Sequence, residues 1–264
     1  MINKIKRRLL HISNEFKFFC VNRLWFSTPA GRRNLKELKK YKNKYAGKRC
    51  FIMGNGPSLL KCDLKLLKDE VTIASNAQFL IWDQMGFIPQ FLTVEDRLVA
   101  EDRKDELNAI DKTTKIFPRD LSKFLKISEN TFYIDFLRNY KDFPKFSDDF
   151  VAKVYWGGTV SFLNLQLAYY LGFKEIYMIG FDHSYKVTEK IESHVITSDH
   201  DDVNHIHPNY FGKGYRWHDP NVERMELAYV RAKSFFESKG VKVFNATVGG
   251  KLEVFERIDY VSLF

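Results

Sequence analysis

The stretch Cys50-Phe51-Ile52-Met53-Gly54-Asn55-Gly56-Pro57-Ser58-Leu59 sets the reading of this chain. Four apolar residues run into a turn made of Gly, Asn, Gly and Pro, and a helical pattern follows. Such a run, broken by glycines before a helix, is the first strand of an α/β sheet and its loop. Glycine lets backbone come close to a ligand, and the first amides of a helix point free N–H groups at an anion. Gly54, Asn55, Gly56, Pro57 and Ser58 therefore read as a nucleotide-phosphate loop, although an ordinary strand-to-helix turn fits the same residues. Leu59 stands where a dinucleotide fingerprint needs its third glycine, and no Gly-Lys-Ser/Thr follows. Both absences remove the commonest hydride and phosphoryl enzymes.

From Arg49 onward, strand and helix patterns alternate. Strands are expected at Cys50–Met53, Val71–Ala74, Phe91–Val94 and Glu175–Ile179, with a last one at Val241–Phe244 and short pieces at Lys115–Phe117 and Phe132–Ile134. Helices are expected at Leu64–Lys68, Phe79–Gln84, Leu98–Ile110, Thr159–Leu171 (apolar nearly all round, hence buried) and Asn221–Lys239 (amphipathic). This order implies a Rossmann-like α/β fold, a mostly parallel sheet with helices on both faces. One such domain spans 49–264, with a basic helical arm at 1–48 and a lid at 183–220, a segment too long for a plain connection.

The 264 residues, 45% hydrophobic and 16% aromatic, suffice for one large core. Three cysteines without metal spacing (Cys20, Cys50, Cys62) argue against a disulfide framework and for a reducing, cytoplasmic setting. No apolar run reaches the ~20 residues of a transmembrane helix. The net charge of +9 is concentrated at the start: residues 1–49 hold fifteen Lys or Arg against two acids, +13, which leaves −4 for the rest. Within 1–25, Ile2, Ile5, Leu9, Ile12, Phe16, Phe19 and Trp25 recur at helical spacing among basic residues. A basic helix with an aromatic side suits the anionic inner face of a membrane; a helix packed on the body, or an oligomer contact in a homo-oligomer, is the plainer alternative. Ser27–Gly31 breaks this helix, and Arg33–Tyr45 reads as a second. No motif for nucleic acid accompanies the charge.

In parallel sheets, ligands gather at the carboxyl ends of the strands. That rule brings together Gly54–Ser58, Asn76, Glu95 with Asp96, and Gly180 with Asp182. Gly157, Gly158 and Thr159 join them at the start of the buried helix, where amides and dipole favour an anion. Two glycine-rich anion sites on one crevice suggest a nucleotide whose phosphate and sugar parts are held separately. The lid is rich in His and aromatics; His205-Ile206-His207 with Asp201 or Asp202 has the residue types of a metal site, but no metal is assigned to it.

Gly54-Asn55-Gly56-Pro57-Ser58-Leu59, Asn76, and Leu171-Gly172-Phe173-Lys174-Glu175-Ile176-Tyr177 ending in Gly180-Phe181-Asp182 resemble bacterial family-42 sialyltransferases. Trp156-Gly157-Gly158-Thr159-Val160 and Asn245-Ala246-Thr247-Val248-Gly249-Gly250 are similar to motifs of the related 6-hydroxymethylpterin diphosphokinase MptE-like family. Together the two resemblances cover Lys48 to Glu256. The first implies a metal-independent inverting glycosyltransferase with a CMP-linked nonulosonate donor or related nucleotide sugar and no cofactor. Its acceptor would be a glycan or lipid-linked precursor of a surface polysaccharide such as lipopolysaccharide or capsule. Carried over, Gly54–Ser58 and Asn76 hold the cytidine ribose and phosphate, and Thr159 lies near the donor carboxylate or phosphate. His218 is the base for the acceptor hydroxyl, while Tyr185 and Tyr210 or Tyr215 steady the departing phosphate. The sequence departs from that pattern at Glu95 and Asp96, where the sialyltransferases carry asparagine, and at Gly157-Gly158-Thr159-Val160, where they carry Thr-Ser-Gly. The second resemblance implies, as the alternative, pyrophosphate transfer from ATP with Mg²⁺ on an acidic pair; a non-catalytic nucleotide-binding protein of glycan assembly is the third reading.

Overall fold

The computed structural model describes residues 20–186 and 195–264. In chain order its strands are β1 (Arg49–Met53), β2 (Thr72–Ser75), β3 (Phe91–Thr93), β4 (Thr114–Pro118), β5 (Thr131–Ile134), β6 (Phe136–Leu137), β7 (Val154–Tyr155), β8 (Glu175–Ile179), β9 (Val195–Thr197), β10 (Arg216–His218), β11 (Lys242–Asn245) and β12 (Glu256–Arg257). The helices that matter below are α1 (Pro29–Lys39), α2 (Arg97–Asp102), α3 (Lys104–Ala109), α4 (Val160–Leu171) and α5 (Val222–Ser238).

Eight strands form one sheet in the order β12-β11-β8-β1-β2-β3-β4-β5, and each pairing in it is parallel. Alternate side chains of a strand point to opposite faces. In β1, Cys50 and Ile52 accordingly enter one core, with Leu38 of α1, α4 and α5, while Phe51 and Met53 enter the other. The second core is roofed by short helical segments, among them the turn at 78–85 and α3. A sheet covered on both faces needs strands apolar on both sides, which explains the continuous runs that marked the strands. The α/β, Rossmann-like expectation is met. From β1 the chain steps outward to β5, then returns through α4 to β8 on the other side of β1. The carboxyl ends of β1 and β8 thus flank the point where strand order reverses, the place where such sheets open a crevice.

Local details differ from the sequence reading. The loop after β1 enters a five-residue 3-10 helix, Pro57–Lys61, in place of an α-helix. The helix expected over Leu98–Ile110 is two, α2 and α3, divided at Arg103 (φ −117°, ψ 21°), whose side chain is buried beneath the lid. Pro29, Ala30 and Gly31 lie inside α1, because Thr28 caps it and Pro favours the first helical turn. Within the lid, β9 and β10 pair antiparallel, an order that no periodicity announced.

Residues 20–48 pack on the body. Trp25 lies edge-on to Tyr133 of β5 at 5.4 Å, with the Arg119 guanidinium over its ring at 4.7 Å. Asn34 Nδ2 donates to the Tyr133 carbonyl (2.8 Å), and the Tyr133 N–H donates to Asn34 Oδ1 (2.8 Å). The membrane reading of the arm falls mainly on residues 1–19, which lie outside the described residues. No helix among the described residues is long and apolar enough to cross a membrane. All three cysteines are free thiols.

Candidate active site

The β1 and β8 loops lean on each other. The Gly54 N–H donates to the Ile179 carbonyl (2.7 Å), and the Gly56 N–H to the Gly180 carbonyl (3.0 Å). A Cβ on Gly54 would collide with the Gly180 carbonyl oxygen, and one on Gly56 with the Asp182 carboxylate. These glycines are therefore required by the packing of two loops at the switch point. Ser58 donates to Asp182 Oδ2 through both its N–H (3.2 Å) and its hydroxyl (2.6 Å). The amide at the start of the 3-10 helix is thus met by a carboxylate of the chain itself, which corrects the expectation that Ser58 faces a phosphate. Asp182 acts as its anchor.

A cleft of about 860 Å³ opens above these loops. Gly54, Asn55, Gly56, Asn76, Glu95, Asp96, Gly158, Thr159, Gly180, Asp182, Tyr185, Tyr210 and His218 all line it. Asn76 adopts the left-handed region (φ 55°), and its buried Oδ1 has no hydrogen-bond partner within the protein. A buried acceptor left open on a cleft wall is a group waiting for a donor. Pro57, Ser58, Gly157 and Tyr215 do not line the cleft. Gly157 is a packing glycine, since a Cβ there would enter the Phe162 ring. Tyr215 lies under the Arg103 guanidinium, 3.9 Å from the ring centre, with the role of a lid anchor.

At the other end of the cleft, His218 Nδ1 donates to Asp96 Oδ2 at 2.8 Å. Asp96 Oδ1 accepts from the Leu98 amide at 2.7 Å and so caps α2. The hydrogen bond to Asp96 raises the His218 pKa above the ordinary histidine value, outweighing the opposing effect of burial. Burial pushes Asp96 up, but the hydrogen bond and charge of His218 and the amides of Leu98 and Val99 bring it below the usual range. With Nδ1 committed to a carboxylate, Nε2 is the nitrogen left for chemistry, the arrangement of an oriented general base. His218 stands on β10, three residues ahead of the Asn221 cap of α5.

Glu95 is 6% exposed and is held by Arg138, whose Nη1 lies 3.0 Å from Oε2. Burial pushes its carboxyl up to about 7, against the pull of Arg138. Arg138 also donates to Asp120 Oδ2 (2.6 Å) and to the Glu95 carbonyl (2.6 Å). The acidic pair was the candidate Mg²⁺ site, and the fit is poor. Both Asp96 oxygens and one Glu95 oxygen are already engaged, and no cluster of three His, Cys, Asp or Glu side chains suited to a metal occurs among the described residues. At His205-Ile206-His207, too, no group of three such side chains is placed for a metal among the described residues. His205 Nδ1 donates to Asp202 Oδ2 (2.7 Å), and His207 Nδ1 accepts the Asn209 amide (3.0 Å).

Sequence reasoning missed Arg138, Asp120, Trp156 and Arg224 as cleft residues. Arg138 lies in a segment without periodicity, and its only signal was a lone arginine among aromatics. Trp156 belonged to a quoted motif, and the Arg224 guanidinium sits 5.4 Å over its ring.

Comparison with known proteins fits this architecture. A family model described as 6-hydroxymethylpterin diphosphokinase MptE-like matches residues 29–188. The structure of the MAf glycosyltransferase from Magnetospirillum magneticum AMB-1 is similar with a TM-score of 0.55 at 17% identity, covering 84% of this chain and 35% of that one. The chain therefore spans about a third of that relative's length, and at this identity the likeness is one of fold. No curated protein matches the chain. With the match running from α1 through β8 and the Gly180–Asp182 loop, more than half of its residues, the chain belongs to the MptE-like family.

Proposed function

We propose that the protein is an inverting glycosyltransferase that uses a nucleotide-sugar donor, of the CMP-nonulosonate type, without a metal ion. The observation that carries this reading is the His218–Asp96 pair at 2.8 Å, set on a cleft whose other end is formed by the β1 and β8 loops. The nucleotide lies over Gly54–Gly56 with Asn76 Oδ1 as an acceptor for its hydroxyl or amino groups. His218 Nε2 takes the proton of the acceptor hydroxyl as that oxygen attacks the anomeric carbon, and the bond from that carbon to the phosphate oxygen breaks with its electron pair staying on the phosphate. Asp96 holds the imidazole in the tautomer that leaves Nε2 free and stabilises the imidazolium as it forms. The name of the MAf relative supports a sugar transfer, and the family resemblance of the β1 and β8 loops supports a CMP donor. The acceptor is a glycan or a lipid-linked glycan precursor, and the basic stretch 1–19 brings the chain to an anionic membrane surface.

The printed name of the family favours a second reading, a pterin diphosphokinase acting on ATP with Mg²⁺. The engaged oxygens of Glu95 and Asp96 speak against it. Thermal unfolding in the presence of ligands separates the two: CMP raises the midpoint under the first reading, ATP with Mg²⁺ alone under the second. His218→Ala is expected to keep the CMP effect and to lose roughly 10²–10⁴-fold in transfer rate, the usual contribution of a general base. Transfer at the native rate by that variant overturns the assignment of His218.

A further inference from the structure

The cleft contains a second imidazole oriented by a carboxylate. His205 Nδ1 lies 2.7 Å from Asp202 Oδ2, the same nitrogen and the same contact as in the His218–Asp96 pair. Asp202 is itself fixed, accepting the Phe211 amide (2.9 Å) on that oxygen and the Asn204 amide (2.7 Å) on the other. The hydrogen bond and charge of His205 and these amides bring its carboxyl below the usual range, although burial opposes them. The imidazole stacks flat on Tyr210, with centres 4.3 Å apart and planes 4° from parallel, and Phe211 meets it edge-on at 5.1 Å. The next residue ties this pair to the nucleotide end of the cleft, for the Ile206 N–H donates to the Asn55 carbonyl at 2.9 Å. Titratable neighbours are Asp202, Tyr185 and Tyr210, with Asp182 beyond Tyr185.

Building on the transferase reading, we infer that His205 is a catalytic residue for leaving-group departure, with Nε2 turned to the donor's phosphate. Asp202 holds Nδ1–H, and the phosphate, an anion on the far side of the ring where His218 faces a neutral hydroxyl, holds Nε2–H against the oxygen that receives the electron pair of the breaking bond. His205 keeps its proton throughout, and the acceptor's proton goes to His218. Two imidazoles at opposite ends of one cleft then divide the work, one removing a proton and the other stabilising negative charge. Tyr210 is 1% exposed and lies flat against the His205 ring. It serves as the platform beneath His205, which takes over the phosphate role that the resemblance gave to that tyrosine.

The test compares the affinities of CMP and cytidine, ligands that differ by the phosphate alone. His205→Phe keeps a flat ring on Tyr210 and removes the charged donor. The CMP-to-cytidine affinity ratio is expected to fall about tenfold in this variant, the size of one charge-assisted hydrogen bond, and to stay at the wild-type value in His218→Ala. His205→Gln, which retains an N–H donor, is expected to recover part of the ratio. An unchanged ratio in a folded His205→Phe that still binds CMP overturns the inference and leaves the transferase reading standing. If the wild-type chain binds CMP no better than cytidine, the transferase reading falls and the inference with it.

Discussion

Asp96 accepts from the Leu98 amide with one oxygen and from His218 with the other, so a single carboxylate both starts a helix and orients an imidazole. Because the pair raises the His218 pKa, a rate that depends on neutral His218 climbs as pH passes through that raised value. In Asp96→Asn the climb is expected to move to lower pH and the plateau rate to fall, because the amide supports neither the tautomer nor the imidazolium. A pH–rate profile of the two proteins checks this; an unshifted profile means that His218 is not the titrating base. At this scale the sequence was informative where the signal is local. Gly54, Gly56, Gly180 and Thr159 stand at the ends of apolar runs, and all four reach the cleft. The His218–Asp96 partnership joins residues 122 positions apart and left no trace in either segment. Ser58 and Asp182 were both singled out, but as two ligand contacts; in the folded chain they satisfy each other.

The lid owes its position to one short element. Asp102, the last residue of α2, receives the Arg216 amide (3.1 Å) and the Arg216 guanidinium, while Arg103 donates to the Asn209 and Tyr210 carbonyls and covers the Tyr215 ring. The N-terminal end of the same helix, Asp96, holds His218. A helix of six residues and its C-cap Arg103 thus hold the segment at 209–210 and again at 215–218. Asp102→Ala is expected to speed limited proteolysis within 195–218 severalfold and to lower transfer, with α/β secondary structure unchanged by circular dichroism. Protease resistance equal to wild type argues that the aromatic contacts of the lid suffice. Strand and helix positions were legible because apolar runs and helical periodicity depend on neighbours along the chain. The break between α2 and α3 was not, since Arg103 bends the backbone to reach a partner more than a hundred residues away.

Across the whole molecule, the site groups set a pH dependence of stability. Burial pushes Glu95 up to about 7, and the Asp96 hydrogen bond raises His218. For a group whose pKa is higher in the folded chain, the favourable contribution is complete below its unfolded value and is lost as pH rises through its folded value. The two act in the same direction, His183, whose pKa burial lowers, acts in the opposite one, and with two groups against one the denaturant midpoint is expected to fall as pH is raised from about 5 to about 8. His218→Ala is expected to flatten the upper part of that decline; a midpoint that rises over the window contradicts the assigned directions. The fold as a whole was readable, with its parallel sheet and site at the strand ends, because strand–helix alternation leaves few topologies. What local signals did not carry was the part of the cleft wall built from short pieces at 204–218.

The Asn34 amide bonded to both polar groups of Tyr133 acts as a one-residue counterfeit strand on the open margin of β5. Unpaired sheet margins recruit strands from other molecules. At the opposite margin β12 is only two residues long and ends the sheet abruptly. The sheet is therefore stoppered at both sides, by an amide on one and by brevity on the other. A chain beginning at residue 49 would keep every strand of the sheet yet expose a sticky margin, so the segment before β1 protects solubility as well as adding packing.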